Sequence, residues 1–357
     1  MIWLTWRQFR MQAAVAVIAL VAAAIFIAIT HAQLVHFYNG SGIPTCQADG
    51  DCFGARNEFL SHNQALRQLL GLALLAVPAI VGVFWGAPLV AREQEAGTFR
   101  LAWTQSVTRD RWLATKLVVI GLASMVVAGF FSWMVTWWFG RIDQLQLERF
   151  NPGVFDERAI VAIGYAAFAF GLGVTAGMLI RRTLPAMATT LAVFVAVRIV
   201  FAEWVRPHLI GPAHLAFALN TSTVNGFVSR NGGAPMLTVD PPQLNNAWIY
   251  STTIVDSAGH ALTSDFLAHA CSALMDGLGP GLPGLGKGPS GVGAPSTDKA
   301  QAFQTCVTKV GEVYHGLARY QPASRYWTFQ AIETAIFIGA ALILGGFCLW
   351  WVRNRLT

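Results

Sequence analysis

Six stretches of this chain run apolar for about twenty residues or more with few charged positions inside them. They lie at about Met11–Thr30, Leu66–Val90, Trp112–Phe139, Ile160–Ile180, Leu184–Trp204 and Thr328–Val352. A helix rises about 1.5 Å per residue, so about 20 such residues cross the ~30 Å hydrocarbon layer, and in lipid every backbone polar group must be bonded within the segment. Each stretch therefore predicts a membrane-spanning helix. Ahead of the first, "MIWLTWRQFR" sets Ile2, Trp6 and Phe9 near one side of a helix with Arg7 and Arg10 available to headgroups. It predicts a short interfacial helix leading into the membrane. A cleaved signal peptide is the competing reading of the first run; Thr30 and His31 make a poor cleavage site, and five more spans follow.

Composition agrees with the pattern. With 357 residues, 55% hydrophobic content and 13 Trp, and a mean hydropathy of +0.50, the chain is too apolar for an ordinary soluble domain. Charge then sets orientation. Arg7 and Arg10; Arg92, Arg100, Arg109, Arg111 and Lys116; Arg181 and Arg182; and Arg353 and Arg355 all fall on one side of a six-span arrangement. Short loops rich in Lys and Arg stay in the cytoplasm, which predicts cytoplasmic termini. The pI of about 9.3 follows from this topology and requires no nucleic-acid partner.

The opposite side receives about Gln33–Ala65, about Gly140–Ala159 and the long segment from Val205 to Trp327. Cys46 and Cys52 lie close together in the first, Cys271 and Cys306 lie in the last, and Cys348 lies inside the sixth span. An oxidising exterior would favour two disulfides and one free thiol; buried, reduced thiols are the alternative. In the long segment Ser264 and Asp265 read as a helix start before "FLAHACSALMDG", with Gly277 as its stop. A second helix follows Ser296, with Phe303, Val307, Val310, Tyr314 and Leu317 repeating every three or four residues. The Gly/Pro-rich stretch 277–295 connects them without periodicity, and a Cys271–Cys306 bridge would close that loop into a small external cap.

Several motif-like stretches carry little. Gly281 to Gly288, "GLPGLGKG", nearly matches a phosphate-binding loop, but Gly288 stands where the magnesium-binding hydroxyl belongs and no strand precedes it. His260, Ser264 and Asp265 have the residue types of a hydrolase triad without a nucleophile elbow, and read as polar surface. The eight His form no metal-ligand spacing with Cys or carboxylates. No metal or cofactor site is expected in this chain.

The stretch "AREQEAGTFRLAWTQSVTRDRWLATK", residues 91–116, differs from these. It holds eight charged residues in a chain only 12% charged, and it combines a glycine, a Phe99/Ala102/Trp103 patch and a basic exit in one short loop. Thr108 can cap the helix that enters the third span, with Asp110 in its first turn. Two readings of the patch stand on physics alone: Phe99 and Trp103 rest in the headgroup layer beside snorkelling arginines, or they await a protein partner. The loop resembles the first cytoplasmic loop of permease subunits of type-2 ATP-binding-cassette exporters, in which Arg-Glu-x-Glu-x-Gly-Thr precedes a short apolar helix, a Pro-Val-Ser-Arg-like turn and a Lys entering the next span. Arg92, Glu93, Glu95, Gly97, Thr98, Val107, Arg109 and Lys116 match it; Ser106 stands for the proline and Thr108 for the serine.

The resemblance implies an all-α polytopic permease with six transmembrane helices in the cell membrane, without a nucleotide site of its own. It implies a coupling helix, carried by Arg92, Glu93, Glu95, Gly97, Thr98, Phe99, Trp103 and Arg109, docked on a separate cassette ATPase that holds ATP and Mg. It further implies a working unit of two permeases, a homodimer on the simplest expectation, with two ATPases. The expected cargo is a hydrophobic or amphipathic solute such as a drug, antibiotic, peptide or lipid-like molecule. A membrane-anchored sensor or assembly protein with an outer ligand-binding domain is the alternative, and a membrane hydrolase is third.

Three features inside the spans bear on a transport path. Gly173 and Gly177 form G-x-x-x-G, which permits close helix approach. Phe130, Met134 and Trp137 form one stripe in the third span with Trp133 beside it, suited either to an interfacial aromatic belt or to a hydrophobic solute. Arg198 and Glu333 fall at matching depths, about 7–9 Å below the outer ends of the fifth and sixth spans by helical rise. Buried ionisable groups usually face the bundle interior and pair, so Arg198 and Glu333 are expected to meet near the outer mouth, with Glu203 as the competing partner.

Overall fold

The structure, a computed structural model, describes residues 2–45, 53–96, 108–146, 150, 152–228, 236–242, 244, 246–272 and 297–355. Among the described residues six helical segments are long and apolar enough to cross a membrane, Phe9–Gly40, Gln64–Glu95, Asp110–Asp143, Val161–Ile180, Thr183–Leu209 and Ala323–Asn354, here spans 1 to 6. The chain divides into two compact units. One comprises Met1–Ile210 with Ser324–Thr357 and contains the spans; the other is Gly211–Ala323.

The N-terminal stretch is not a separate interfacial helix. One helix runs from Ile2 to Gly40, because nothing between Arg10 and Met11 breaks it. Trp3 and Trp6 remain exposed, whereas Phe9 is buried, its ring edge-on to Trp85 at 4.9 Å.

Span 4 is the axis of the first unit. Sixteen of its twenty residues are buried, and spans 2, 3, 5 and 6 all pack on it. Its glycines pack closely against span 2. A side chain begun at Gly173 would lie 2.3 Å from the Gly82 carbonyl oxygen, and one begun at Gly177 would lie 2.3 Å from that of Ala87. Gly82 and Gly86 of span 2 reciprocate, facing the carbonyls of Ala169 and Phe170 at 2.7 and 2.6 Å. The two helices thus touch backbone to backbone, which only hydrogen side chains allow. The contact coincides with a π-helical turn at Gly82–Gly86, four residues beyond Pro78. Around the axis, Ile27, Leu34, Leu74, Phe131, Met134 and Trp138 join spans 1, 2 and 3 in one apolar cluster. The Cys348 thiol is free and buried, 3.3 Å from the Thr175 hydroxyl.

The second unit corrects the all-α expectation. Among the described residues it holds five strands: β1 Ala213–Phe217, β2 Val224–Val228, β3 Met236–Val239, β4 Trp248–Asp256 and β5 Tyr314–Gln321. β1, β5 and β4 form an antiparallel sheet in that order, and β2 pairs with β3. The helix expected after Ser296 covers Thr297–Val313 and stops there; Tyr314 and Leu317, which continued its period, belong to β5. Gly316 explains the switch, because it lies opposite both Phe217 and Ile254 and the Phe217 ring occupies the place of its missing side chain. The other helix starts at Ser264, as expected, and runs to Ala270, capped by Thr263, whose hydroxyl accepts from the Phe266 N–H. Gly277, its expected stop, lies outside the described residues, as does the stretch 277–295 with its Gly281–Gly288 near-motif.

Phe217, Leu219, Phe227, Ile254, Leu267, Val307 and Val310 form the core of this unit. A disulfide joins Cys271 to Cys306 beside that core, 35 residues apart. Loop closure of that length removes unfolded-chain entropy worth about 3–4 kcal/mol in the chain-entropy model. Thermal unfolding of the full chain with both Cys271 and Cys306 replaced by Ser is expected to show that loss relative to the oxidised wild type. Cys46 and Cys52 lie outside the described residues. At the β4 turn the Asp256 Oδ1 accepts from the Ala258 and His260 N–H groups at 2.9 and 2.8 Å. The His260 backbone bond leads the causes that hold this carboxyl below its ordinary range. His260, Ser264 and Asp265 are exposed, and His260 pairs with Asp256 rather than with either of them.

Candidate functional site

The densest polar constellation in the spanning unit starts from three consecutive residues, Asp156, Glu157 and Arg158, just ahead of span 4. Each reaches a different neighbour. Asp156 meets Arg198 Nη2 at 2.7 Å and also accepts from Arg206. Arg206 grips Glu333 with two parallel bonds, Nε to Oε2 and Nη2 to Oε1, both 2.9 Å. The Tyr165 hydroxyl bridges the two acids, 3.0 Å from Asp156 Oδ1 and bonded to Glu333. Arg198 stacks on the Tyr165 ring at 3.4 Å, and its Nη1 lies 3.7 Å from Glu333 Oε1. Two arginines and two carboxylates balance in charge. A bidentate pair such as Arg206 with Glu333 is a form in which lipid-buried ions are tolerated, although one terminal nitrogen of each arginine, Nη1, makes no hydrogen bond.

Arg198 and Glu333 therefore do approach each other, as members of a larger network whose principal pair is Arg206 with Glu333. Sequence reasoning named neither Arg206 nor Asp156. Arg206 follows Arg198 by eight residues, which places it about 80° round a regular helix. A π-helical turn at Phe201–Val205 absorbs one extra residue and returns it to nearly the same face. The competing partner, Glu203, falls within that turn and is exposed.

The other two residues of the triplet clasp spans 2 and 3. Arg158 is buried and bonds Asp143 with Nε to Oδ2 at 3.2 Å and Nη2 to Oδ1 at 3.1 Å. The Glu157 carboxylate occupies the space left by the absent side chain of Gly71. Burial raises the Glu157 carboxyl above its ordinary range, against the opposing charges of Arg158 and Arg67. Because the fold disfavours the ionised form, its contribution to stability falls as pH rises from the ordinary carboxylate pKa through the raised one. Ala159 then turns the chain with a positive φ of 57°. Its carbonyl accepts from Ser132 at 2.6 Å and its N–H donates to Thr136 at 3.2 Å, which pins the turn to span 3.

At the other end of the spans the residues of the 91–116 loop divide. Gly97, Thr98, Phe99 and Trp103 lie outside the described residues, and Arg109 is the first residue of the helix that continues through span 3 to Gln146. Arg92 is exposed. Glu93 and Glu95, expected on a docking surface, both bond within the chain. Glu93 meets Lys116 Nζ at 2.6 Å, and Lys116 is buried with its cation 4.4 Å from the centre of the Trp112 ring. Glu95 accepts from the Thr183 hydroxyl at 2.6 Å and from its N–H at 3.3 Å, at the start of span 5. A carboxylate bonded to the free N–H of a helix start satisfies an orphan donor and favours the helix dipole. The two acids thus tie the end of span 2 to spans 3 and 5.

Between these two polar ends runs an apolar cleft of about 710 Å³, lined from spans 1, 2, 3 and 5 by Val15, Ala19, Val77, Phe84, Phe131 and Met187 among others. The aromatic stripe of span 3 does not act as one surface. Met134 turns into the core, while Phe130, Trp133 and Trp137 are exposed; the Trp137 ring stacks on His31 at 3.8 Å. Among the described residues no group of three His, Cys, Asp or Glu could hold a metal ion.

Among the described residues, a bundle of six apolar helices around a glycine-packed axis has the length and composition of a multi-pass membrane protein. The family description "ABC-2 membrane transporter related" matches residues 17–206, more than half of the chain, and the chain belongs to that family. No curated protein and no solved structure matches it.

Proposed function

We propose that this chain is the membrane subunit of an ATP-driven exporter that moves a hydrophobic or amphipathic solute. The observation that carries the reading is the apolar cleft of about 710 Å³, most of whose lining lies inside the stretch matched to the transporter family. Its size falls in the ~300–1,000 Å³ range of small-molecule sites, and its walls suit a solute drawn from the bilayer. ATP and Mg would be held by a separate cassette ATPase docked on the segment from Gly97 to Val107. Family membership implies such a partner, and the working unit would pair two copies of this chain with two ATPases. The Lys- and Arg-rich loops support a reading in which this docking side is cytoplasmic, the Gly211–Ala323 unit lies outside, and the membrane is that of the cell.

The bonds at the loop ends supply a route for coupling. Movement of the loop against the ATPase pulls on Lys116 through Glu93 and on Thr183 through Glu95, and so on spans 3 and 5, which both line the cleft. ATP binding must favour one arrangement by about 5.5 kcal/mol to swing a population from 1:99 to 99:1. Glu95→Gln is expected to leave the ATPase bound and hydrolysing while transport falls severalfold. Trp103→Ala instead removes an aromatic anchor of the contact and is expected to weaken association about thirtyfold, the size of a hot-spot loss of about 2 kcal/mol.

The test is uptake of a fluorescent amphipathic dye into inside-out vesicles. ATP-dependent accumulation that falls when Ala19→Trp fills the cleft supports the reading. Accumulation that is equal with and without ATP, or unaffected by that variant, would remove it.

A further inference from the structure

We infer that the cleft, together with the smaller polar pocket adjoining it, forms a site for an anionic phospholipid, with one acyl chain in the cleft and the headgroup phosphate at Arg92. The polar members of the cleft lining, Gln12, Arg92 and Thr183, gather at one end, and the rest of the wall is apolar. Along span 1 the lining runs from Met11 to Ala23, a rise of about 18 Å of helix. That is close to the ~15 Å depth of one leaflet's hydrocarbon. Ala16, Ala19 and Ala23 leave the trough on span 1, with Phe84 and Phe131 among its walls. A trough one leaflet long with polar groups at one end has the outline of a lipid chain and its head.

The headgroup end carries the charge to match. Arg92 is exposed and enters none of the ion pairs among the described residues. The neighbouring acids are already engaged, Glu93 with Lys116 and Glu95 with Thr183. From Arg92 a second cavity of about 280 Å³ continues past Gln12 and Trp85 to the Glu93–Lys116 pair. Arg92, Lys116 and Glu93 sum to one positive charge around it. A guanidinium free at the mouth of an apolar trough, with a net positive pocket behind it, is complementary to a phosphate anchored by an acyl chain. A leaflet on the cytoplasmic side supplies such lipids. The inference needs the chain to lie in a bilayer with its Arg92 end at a leaflet that holds anionic lipid, and stands or falls separately from the export reading.

The experiment is native mass spectrometry of the purified full chain after equilibration with mixed phosphatidylglycerol and phosphatidylcholine vesicles, with no ATPase present. The wild type is expected to retain one phosphatidylglycerol per chain. Arg92→Glu is expected to lower that retention at least fivefold, about the effect of one basic residue near anionic lipid, and to leave phosphatidylcholine retention unchanged. Ala19→Trp, at an exposed position that fills the trough, is expected to displace both lipids. Arg10→Glu removes an exposed arginine outside the cleft lining and is expected to change neither. Phosphatidylglycerol should also raise the Tm of the wild type and not that of Arg92→Glu. Wild-type retention in both Arg92→Glu and Ala19→Trp would overturn the inference, as would an equal loss in Arg10→Glu. A dimer that binds lipid only after dissociation would show that a second copy covers the cleft, and would overturn it too.

Discussion

Arg206→Leu is expected to destabilise the spanning unit by about 3–5 kcal/mol, the cost of leaving a buried ion without its partner. Arg206 and Glu333 are both fully buried, and losing the guanidinium strips Glu333 of its two 2.9 Å bonds. Arg198 cannot replace them from 3.7 Å. Glu333→Leu is expected to cost a similar amount. The double change Arg206→Leu with Glu333→Leu is expected to be milder than either single one, because Asp156 and Arg198 remain as a balanced pair at 2.7 Å. Exchanging charges between positions 198 and 333 should bring no recovery, since the new carboxylate would face Asp156 and the new guanidinium would face Arg206. Thermal unfolding of the detergent-solubilised chain reads all four variants. A double Leu variant whose loss equals the sum of the single losses would contradict the network.

The second large effect is expected at Gly173. The obstacles to a side chain there are backbone atoms, the Gly82 carbonyl at 2.3 Å and the Ala87 nitrogen at 2.8 Å, so no rotamer change can make room. Gly173→Ala should cost about 1–3 kcal/mol, as overpacking does, and Gly173→Leu should prevent assembly of spans 2 and 4. Gly346→Ala, in span 6 with nothing within 4 Å, serves as the control and should be neutral or slightly stabilising. Yield and monodispersity after solubilisation report the difference. Equal behaviour of Gly173→Leu and Gly346→Ala would show that the close contact does not exist.

The spans were legible because lipid imposes a single demand, an apolar helix of sufficient length, and the six stretches meet it. The Gly211–Ala323 unit was less legible. β4 carries the β-branched run Thr252–Thr253–Ile254–Val255, which is a strand signal, but β5 follows directly on an amphipathic helix whose period carries on to Tyr314 and Leu317. Only the pairing of Gly316 under Phe217 reveals where the helix gives way, and that contact spans a hundred residues of sequence. The charge network shows the same limit. Depth along ideal helices brought Arg198 and Glu333 to one level, but the π turn that re-aims Arg206 has no mark in the residue pattern. The acidic–acidic–basic triplet at 156–158, placed immediately before an apolar span, was the available signal for Asp156. Glu93 and Glu95 matched a family motif, and a motif does not say whether a carboxylate also bonds within its own chain, as Glu93 does with Lys116 and Glu95 with Thr183.

Coupling to a cassette ATPase through the 91–116 loop is the central proposal. The direct measurement is ATP hydrolysis in material isolated from the native membrane through a tag on this chain. The account predicts hydrolysis by a co-isolated P-loop subunit in stoichiometric amount, lost from the isolate with Trp103→Ala while the chain itself is recovered in full. Recovery of the chain without ATP hydrolysis, or hydrolysis that the Trp103 variant retains unchanged, would contradict it.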